Sequence, residues 1–451
     1  MKNNIFFKSF ALFLILSVCL FNAPLFQTQA AESQSQKGSY SPYPATDAPP
    51  LTLEDCYRLA LEESDAVAIQ KEAIARANAQ MFTAASQALG NVDFIVSRSL
   101  QENMESGNSA GGSLGSSFVD PDRTENKFTI SQPLFQGFKA VGAITGAGSY
   151  KREQKELWLR SKELLYEDVA RAFYGILRFQ KEIRIIREIH KLLGERIKEL
   201  EEREKIGRSR LSEIATATTG MKNLESNLAG AKGTLANYQY LLEFLIGMSI
   251  VDKKLQDDDD QAPSHRAMTD YLKIAYSRSD VQAAEQAVKT AWRGILVAQS
   301  GFWPTISLAH NQYMRREGFN ASVDWDTLFK FDVPLFSGGA TVGLVKESIS
   351  ILKQKKHLLS IAKRQADLQV KQSYEGWRYS KEQYLAFKEA VASAEENYKL
   401  QSDEYRRSLV SNLDVLTALQ SLSQAQQNAN QAFYQMKQDE ARLKVAIGEV
   451  S

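Results

Sequence analysis

Pro133-Leu134-Phe135-Gln136-Gly137 returns as Pro334-Leu335-Phe336-Ser337-Gly338, about 201 residues later. The same offset relates two further landmarks: Ile246-Gly247 corresponds to Ile447-Gly448, and Ala217 corresponds to Ala418. Upstream, Glu63-Ser64-Asp65 corresponds to Arg278-Ser279-Asp280 at an offset of about 215. Landmarks that keep their register over this distance predict an internal two-fold sequence repeat. We name residues 133–137 the first PLF phrase and residues 334–338 the second.

The duplication and the composition together divide the chain into five segments. The predicted segments are a signal peptide (1–30), a Pro-rich leader (31–50), a first structural repeat with a helix, two strands and a long helical hairpin (51–250), an acidic linker (251–268) and a second structural repeat (269–451).

The charge balance excludes one class of partner. The 451 residues include 55 basic and 54 acidic side chains, for a formal net charge of +1. A nucleic-acid-binding protein usually carries a clustered basic excess, so no nucleic acid partner is expected. The stretches after each PLF phrase are rich in Ala, Glu, Lys, Gln, Leu and Arg, which is typical of long helices.

The beginning of the chain is typical of an exported protein. Lys2 and Lys8 precede the apolar stretch Phe10–Leu20, and Thr28-Gln29-Ala30 is an acceptable cleavage site. Cys19 suggests a lipoprotein as an alternative, but Val18 is a poor residue before a lipidated cysteine. A plain signal peptide is therefore favoured, and after its removal no intrachain disulfide is possible.

Four short segments alternate between apolar and polar residues, which is typical of strands with one apolar face. They lie at residues 92–100, 127–134, 305–311 and 329–333, and Arg98 interrupts the apolar face of the first. Strands of about eight to ten residues can cross a bilayer when tilted. The aromatic residues in and around them suit an interfacial girdle: Phe302, Trp303, Tyr313, Trp325, Phe329 and Phe331. A small soluble pair of hairpins is the alternative.

The PLF phrases predict turns from strand to helix, because proline lacks a ladder donor and glycine permits the turn. The residues of these turns are Pro133, Gly137, Pro334 and Gly338. After the first phrase, residues 139–205 contain no proline and predict a helix on the order of 100 Å long, at ~1.5 Å per residue. Residues 211–245 are expected to return beside it. In the second repeat, residues 345–407 and 413–447 predict the same hairpin. The charged block 199–205 is interpreted as a solvated helix end.

The sequence contains no recognisable catalytic or metal site. The four histidines are scattered, without metal-ligand spacing to a Cys, Asp or Glu: His190, His265, His310 and His357. Asp257–Asp260 could bind calcium, but the ordered spacing of a calcium loop is absent, so a solvated linker is favoured. Because no nucleophile motif or phosphate loop is found either, we expect no enzyme, no cofactor and no metal.

Four strands cannot close a transmembrane barrel alone, and open sheet edges are not tolerated in lipid. The chain is therefore expected to oligomerise, as a dimer with eight strands or a trimer with twelve. Helices of this length would leave the membrane and continue as a shaft. An exported chain with membrane strands and a long helical shaft indicates a conduit.

The doubled order of helix, strand, Gly-rich loop, strand, PLF phrase and long helical hairpin resembles the TolC family of outer-membrane efflux channels, the outer membrane factors. Leu413–Ala418 and Ala446-Ile447-Gly448 match best, and the likeness spans about residues 51–450. The resemblance implies an α+β membrane protein: a homotrimer with a 12-stranded transmembrane β-barrel, four strands per chain, in the lipid of the outer membrane of a Gram-negative bacterium. It also implies a long periplasmic α-helical barrel that docks to a periplasmic adaptor protein and an inner-membrane pump.

In that family the hairpin tips farthest from the membrane close the tube. The tips correspond here to residues 206–213 and 405–417. The resemblance assigns the pore constriction to Asp414 and Glu213, which would form acidic rings around a three-fold axis. It also assigns tethering of the closed tips to Tyr405, Arg406 and Arg407. Relatives carry a further acid where this chain has Thr417, so a double acidic ring is not expected.

Two functions remain open at this point. The first is a passive outer-membrane exit channel of a tripartite efflux system or of type I secretion. The second is a periplasmic coiled-coil adaptor or scaffold protein without a membrane barrel. The four alternating segments favour the first, because an adaptor does not need an outward apolar face on four separate strands. The cargo and the identity of the pump and adaptor do not follow from the sequence.

Overall fold

The structure is a computed structural model that describes residues 50–100, 122–250, 253–257, 267–317 and 320–450. The predicted signal peptide, nearly all of the Pro-rich leader, the Gly-rich loop after the first strand and Asp258–Asp260 of the linker lie outside these residues.

The described elements occur in the same order in both halves of the chain. The first half contains α1 (Leu53–Glu63), α2 (Asp65–Ser86), β1 (Asn91–Leu100), β2 (Asp122–Gln136), α3 (Lys139–Lys205) and α4 (Leu211–Ile246). The second half contains α5 (Met268–Ala275), α6 (Ser279–Gln299), a 3-10 turn (Ser300–Phe302), β3 (Thr305–Arg316), β4 (Trp325–Asp332), α7 (Ala340–Arg406) and α8 (Asn412–Ile447). Both α3 and α7 have 67 residues, and both α4 and α8 have 36.

The first helical segment is divided at Ser64. One helix was expected before the strands of the first repeat, but the structure has two helices, and the second ends at Ser86. Ser64 is extended, with ψ 108°, and its hydroxyl accepts a hydrogen bond from the Val67 amide, 3.4 Å away. The serine therefore ends α1 and caps α2, because a side-chain oxygen at this position satisfies an amide that the helix leaves unpaired.

The four strands form one antiparallel sheet in the order β1-β2-β3-β4. Opposite residues share a face, and apolar residues meet on one face in the pairs Phe94↔Phe128, Ile306↔Phe331 and Leu308↔Phe329. The other face carries polar pairs such as Thr129↔Asn311. Within the described chain, β1 and β4 each pair on one side, so the sheet has two open edges.

The long helices bury very different amounts of their surface. Helix α3 packs against α2, α4, α6 and α8, whereas α7 packs mainly against α6 and α8. As a result, 21 residues of α3 are buried, against seven of α7, although the two helices have equal length. The helix α4 buries four of its 36 residues. The outer faces of α4 and α7 therefore lie uncovered in the single chain.

Among the described helices, none combines the length and the apolar character that crossing a membrane requires.

Candidate functional site

The candidate site is the pair of helix-hairpin tips, where α3 turns into α4 and α7 turns into α8. Gly207 ends the first hairpin arm with φ +71°, and a Cβ added to it would meet no atom within 4 Å. Ser408 occupies the corresponding position of the second tip with φ +60°. A residue in this left-handed conformation ends a helix, because its amide can donate a hydrogen bond to one of the last helix carbonyls. Here the Ser408 amide donates to the Tyr405 carbonyl at 2.9 Å.

Each returning helix begins with an acid in its first turn, held by hydrogen bonds. The Asp414 Oδ2 accepts from the Ser411 hydroxyl at 2.6 Å and from the Ser411 amide at 2.8 Å. The Glu213 Oε2 accepts from the Ser209 hydroxyl at 2.6 Å and from the Arg210 amide at 3.3 Å. A carboxylate in this position stabilises the helix start. The two acids predicted at the constriction thus occupy equivalent places on the two tips.

Hydrogen bonds from the Ser411 hydroxyl and amide hold the pKa of Asp414 below its ordinary value of 3.8. The carboxyl group is exposed, so it is ionised at neutral pH. Three such charges around an axis would attract cations.

Tyr405, one of the three predicted tethering residues, is buried against the first hairpin. Its ring centre lies 3.6 Å from the guanidinium carbon of Arg196 and 4.3 Å from that of Arg203. Both arginines belong to α3, so the contact joins the two hairpins within one chain. A guanidinium over an aromatic face is attracted by the negative charge of the ring face.

Arg196 also connects α3 to the start of α8. Its side chain is buried; its Nε donates to the Asn412 Oδ1 at 2.9 Å, and its Nη1 donates to the Glu199 Oε2 at 2.7 Å. Arg203 pairs with the same Glu199, with 3.1 Å between Nη2 and Oε1. We name Arg196, Glu199, Arg203, Tyr405 and Asn412 the tip cluster. The interpretation of residues 199–205 as a solvated end was wrong for Arg203, which lies over the Tyr405 ring of the second hairpin, while Glu199 is half-buried and pairs with Arg196 and Arg203.

Arg196 and Asn412 were not among the site residues predicted from the sequence. A single arginine in a charged helix gives no local signal of burial, because its burial depends on a partner 216 positions away along the chain. Buried apolar residues of both hairpins pack together beneath the cluster. They are Ile185, Ile189, Leu193, Leu200, Ala217, Val415, Leu416, Leu419 and Leu422.

Arg406 and Arg407 are exposed at the second tip. The Arg406 Nη1 lies 3.6 Å from the Asp403 Oδ1 on the same helix. Arg407 makes no ion pair with any residue that the structure describes. Neither side chain reaches the first hairpin in the single chain, so a tether through them would need another protomer.

The two tips expose large apolar side chains next to the acids: Ile206, Leu211, Leu409 and Leu413.

At the opposite end of the long helices, the turn residue Gly137 is buried with φ +58°, whereas Gly338 is exposed with φ +63°. Pro133 lies within β2 beside a register shift, and Pro334 follows the end of β4.

No group of three or more His, Cys, Asp or Glu side chains in the described part of the chain could hold a metal ion. The His190 Nε2 instead lies 3.6 Å from the Glu225 Oε1, between α3 and α4.

Burial raises the pKa of the Cys56 thiol to about 11. A buried neutral thiol of this kind is unreactive, because the thiolate is the reactive form.

Comparison with known proteins identifies relatives of this architecture. Residues 273–449 match the family described as outer membrane efflux protein. Outer membrane protein TolC of Vibrio cholerae is 23% identical over 335 residues, which cover 71% of this chain and 76% of that protein. The cation efflux system protein CusC of Escherichia coli is 23% identical over 298 residues, or 63% of this chain and 64% of CusC.

Solved structures with the same fold include CusC, with a TM-score of 0.78 and 19% identity over 88% of this chain and 91% of that chain. The outer membrane protein VceC of Vibrio cholerae has a TM-score of 0.76 and 17% identity over 88% of this chain and 96% of that chain. The predicted resemblance to TolC-like outer-membrane channels is therefore confirmed, and the relatives are channels rather than enzymes.

Proposed function

We propose that this chain is a TolC-like outer membrane efflux protein, and that three copies of it form a passive exit duct. The duct lies in the outer membrane of a Gram-negative bacterium, with its helices in the periplasm. It is the channel component of a tripartite efflux system, or of a type I secretion system.

The observation that carries this proposal is the four-stranded sheet with one apolar face and two open edges. Unpaired edges are not tolerated in lipid, and a barrel of four strands is too small to exist. If β4 of one protomer pairs with β1 of the next, three chains close a 12-stranded barrel. The apolar face, with Phe94, Phe128, Phe329 and Phe331, then faces the lipid.

The uncovered faces of the long helices support the same assembly. Helix α7 exposes a series of large apolar side chains: Val342, Leu344, Ile349, Ile351, Leu358, Ile361, Leu368, Tyr379, Leu385 and Leu400. Helix α4 exposes Tyr240, Leu241 and Phe244. Exposed apolar surface of this extent indicates a partner. In a trimer, α7 of one chain and α4 of the next would pack together and close a periplasmic helical barrel. The equal helix lengths in the two halves suit the predicted internal repeat.

The tips are proposed as the gate and the docking point of the channel. Asp414 and Glu213 form the constriction, where three copies of each acid surround the axis. Arg406 and Arg407, exposed and free of contacts to the first hairpin, tether neighbouring protomers while the gate is closed. The apolar residues Ile206, Leu211, Leu409 and Leu413 offer a surface for the tip of a periplasmic adaptor protein, through which an inner-membrane pump would supply the energy.

The alternative of a periplasmic adaptor or scaffold without a barrel has less support. It leaves the apolar face of the sheet and the edges of β1 and β4 without a role. The relatives are described as outer membrane proteins, which also favours the channel.

The test is single-channel conductance of the purified protein in a planar lipid bilayer. We expect small cation-selective currents, and Asp414→Ala should increase the conductance and weaken the cation selectivity. Asp270→Ala serves as the matched control, because Asp270 is an exposed acid on α5, far from the tips. A protein that stays soluble without detergent and never inserts would contradict the channel.

A further inference from the structure

The two PLF phrases have opposite environments in the single chain. In the first, Gly137 is buried, and Pro133 and Phe135 are half-buried. In the second, every residue from 331 to 340 is exposed. Leu335 and Phe336 are 91% and 88% exposed, more than the other large apolar side chains of the described chain. Exposure of two adjacent apolar side chains to this degree calls for a covering partner.

The first phrase is covered by the segment that leads from α6 into β3. A Cβ added at Gly137 would lie 2.6 Å from the Trp303 Cβ and 2.7 Å from the Ser300 carbonyl oxygen. The Phe138 ring stands edge-on to the Trp303 ring, with 5.8 Å between their centres. This cover exists because β3 pairs with β2, which brings residues 300–303 beside the end of β2.

The second phrase has no equivalent cover, because β4 is an edge strand. Under the repeat offset of about 215 residues, Ser300–Trp303 corresponds to residues 85–88, which lead into β1. Strand β1 is the other open edge of the sheet. In a closed barrel, β4 of one protomer lies beside β1 of the next, and residues 85–88 of that neighbour come to the position that residues 300–303 hold within the chain.

Next to Ala88 the structure has a cavity of about 270 Å³ that suits apolar side chains. It is lined by Ala88, by residues 133–136 of the first PLF phrase and by residues 138–141 at the start of α3. We name it the junction cavity. Leu134, Phe138 and Val141 are each about half exposed, so they would gain cover from an incoming apolar group.

We propose that Leu335 and Phe336 of one protomer dock in the junction cavity of the next, a second copy of this chain. The inference rests on the proposed trimer and deepens it. The second PLF phrase is then covered by the next chain, beside Ala88 and the first PLF phrase of that chain, whereas residues 300–303 cover the first phrase within its own chain. The phrase thereby becomes an assembly contact at the boundary between the membrane strands and the periplasmic helices.

Disulfide cross-linking of the full-length protein tests this contact. In a Cys56→Ala background, Leu335→Cys is combined with Ala88→Cys, and Phe336→Cys is combined with Val141→Cys. A disulfide forms only when the two Cα atoms lie about 4.4–6.8 Å apart. We expect at least one pair to give covalent dimers and trimers on non-reducing gels, and reduction should return monomers.

The matched control combines Ala88→Cys with Tyr379→Cys, on an exposed position of α7 that lies 39 residues after its first residue, about 58 Å along the helix at ~1.5 Å per residue. This pair and all single-cysteine variants should stay uncross-linked. A second measurement is the reaction of the Phe336→Cys thiol with a water-soluble maleimide in the assembled protein. Protection is expected, whereas Leu409→Cys at the tip should react fully.

The mass of the protein in detergent, measured by light scattering, distinguishes a failure of the proposed trimer from a failure of the docking contact alone. A monomeric protein would overturn the proposed trimer and this contact with it. A trimer in which neither pair cross-links would overturn the docking alone. Protection from the maleimide without cross-linking would mean that lipid covers the second PLF phrase, and it would overturn the docking as well.

Discussion

The guanidinium carbon of Arg196 lies 3.6 Å from the ring centre of Tyr405, which joins the first hairpin to the second inside one chain. The Arg196 Nε donates at the same time to the Asn412 side chain, and its Nη1 pairs with Glu199. One buried arginine therefore holds the end of α7 and the start of α8 against α3. Any opening of the tips must break this contact or carry both hairpins of a chain together.

Removal of the Tyr405 ring should loosen the tips. Tyr405→Ala is expected to cost about 3–5 kcal/mol of local stability, because it deletes a buried aromatic ring and leaves a cavity. Tyr405→Phe keeps the ring and its contact with Arg196 and should stay near the wild type. Hydrogen exchange of residues 196–203 and 405–416 measures the effect. Equal protection in the alanine variant and the wild type would show that the tip cluster does not hold the hairpins together.

The Ser411 cap should control the pH response of Asp414. The folded-state pKa of Asp414 is lowered from 3.8, so this acid contributes stability above its unfolded pKa and loses that contribution as the pH falls through the folded pKa. Ser411→Ala removes the hydroxyl bond and should move the loss of cation-selective current to higher pH, toward 3.8. The measurement is a pH titration of single-channel current. Asp414→Asn is the control, because it removes the titratable carboxylate. If the pH dependence of the current is the same in the wild type and in both variants, Asp414 does not act in the conduction path.

Arg278 should be far more important for stability than an exposed arginine. Its side chain is fully buried and donates to Asp280 at 3.1 Å, to the Gln369 side chain at 2.7 Å and to the Ala446 carbonyl at 3.1 Å. Arg278→Ala removes the buried donor to the Gln369 side chain and the Ala446 carbonyl and takes away one of the partners of Asp280, so it should cost about 3–5 kcal/mol in unfolding free energy. The exposed control Arg406→Ala should change stability by less than about 1 kcal/mol. Similar unfolding midpoints for the two variants would contradict this.

Gly175 permits the close approach of α3 and α4. A Cβ there would lie 2.5 Å from the Tyr238 ring, which is itself stacked on Phe179. Gly175→Ala should therefore destabilise the hairpin by about 1–3 kcal/mol through overpacking. Gly230→Ala is the matched control on α4, where the added Cβ meets no atom within 4 Å, and it should stabilise by up to about 1 kcal/mol through helix propensity. Thermal unfolding compares the two, and a stabilising Gly175→Ala would refute the proposed clash.

Most bounds of the long helices were predictable because the signals that end a helix are local, although α7 begins at Ala340, five residues before the predicted start. Residues 139–205 were expected to be helical, and α3 spans Lys139–Lys205. The return helices begin within one residue of the predicted starts. Glycine at the helix ends and acids in the first turns act over a few residues, so a single sequence reveals them. The break at Ser64 was missed because the apolar periodicity continues across it.

The candidate site was predictable in position but not in its contacts. The sequence placed Asp414, Glu213 and Tyr405 at the tips, through the likeness to known channels. It did not distinguish buried Tyr405 from exposed Arg406, which are adjacent in the chain. Their difference arises from Arg196 and Arg203, on a helix that ends about two hundred residues earlier.

Local sequence patterns were enough to predict the order of the strands and long helices, the alternation within the strands and the doubling of the PLF phrase. Each of these depends on residues a few positions apart, or on a direct comparison of the two halves. Tertiary contacts alone explain why the first PLF phrase is partly buried and the second is exposed to solvent. The two phrases are nearly identical, but β2 has β3 beside it, whereas β4 ends the sheet; burial depends on which distant segments meet, and no local pattern encodes that.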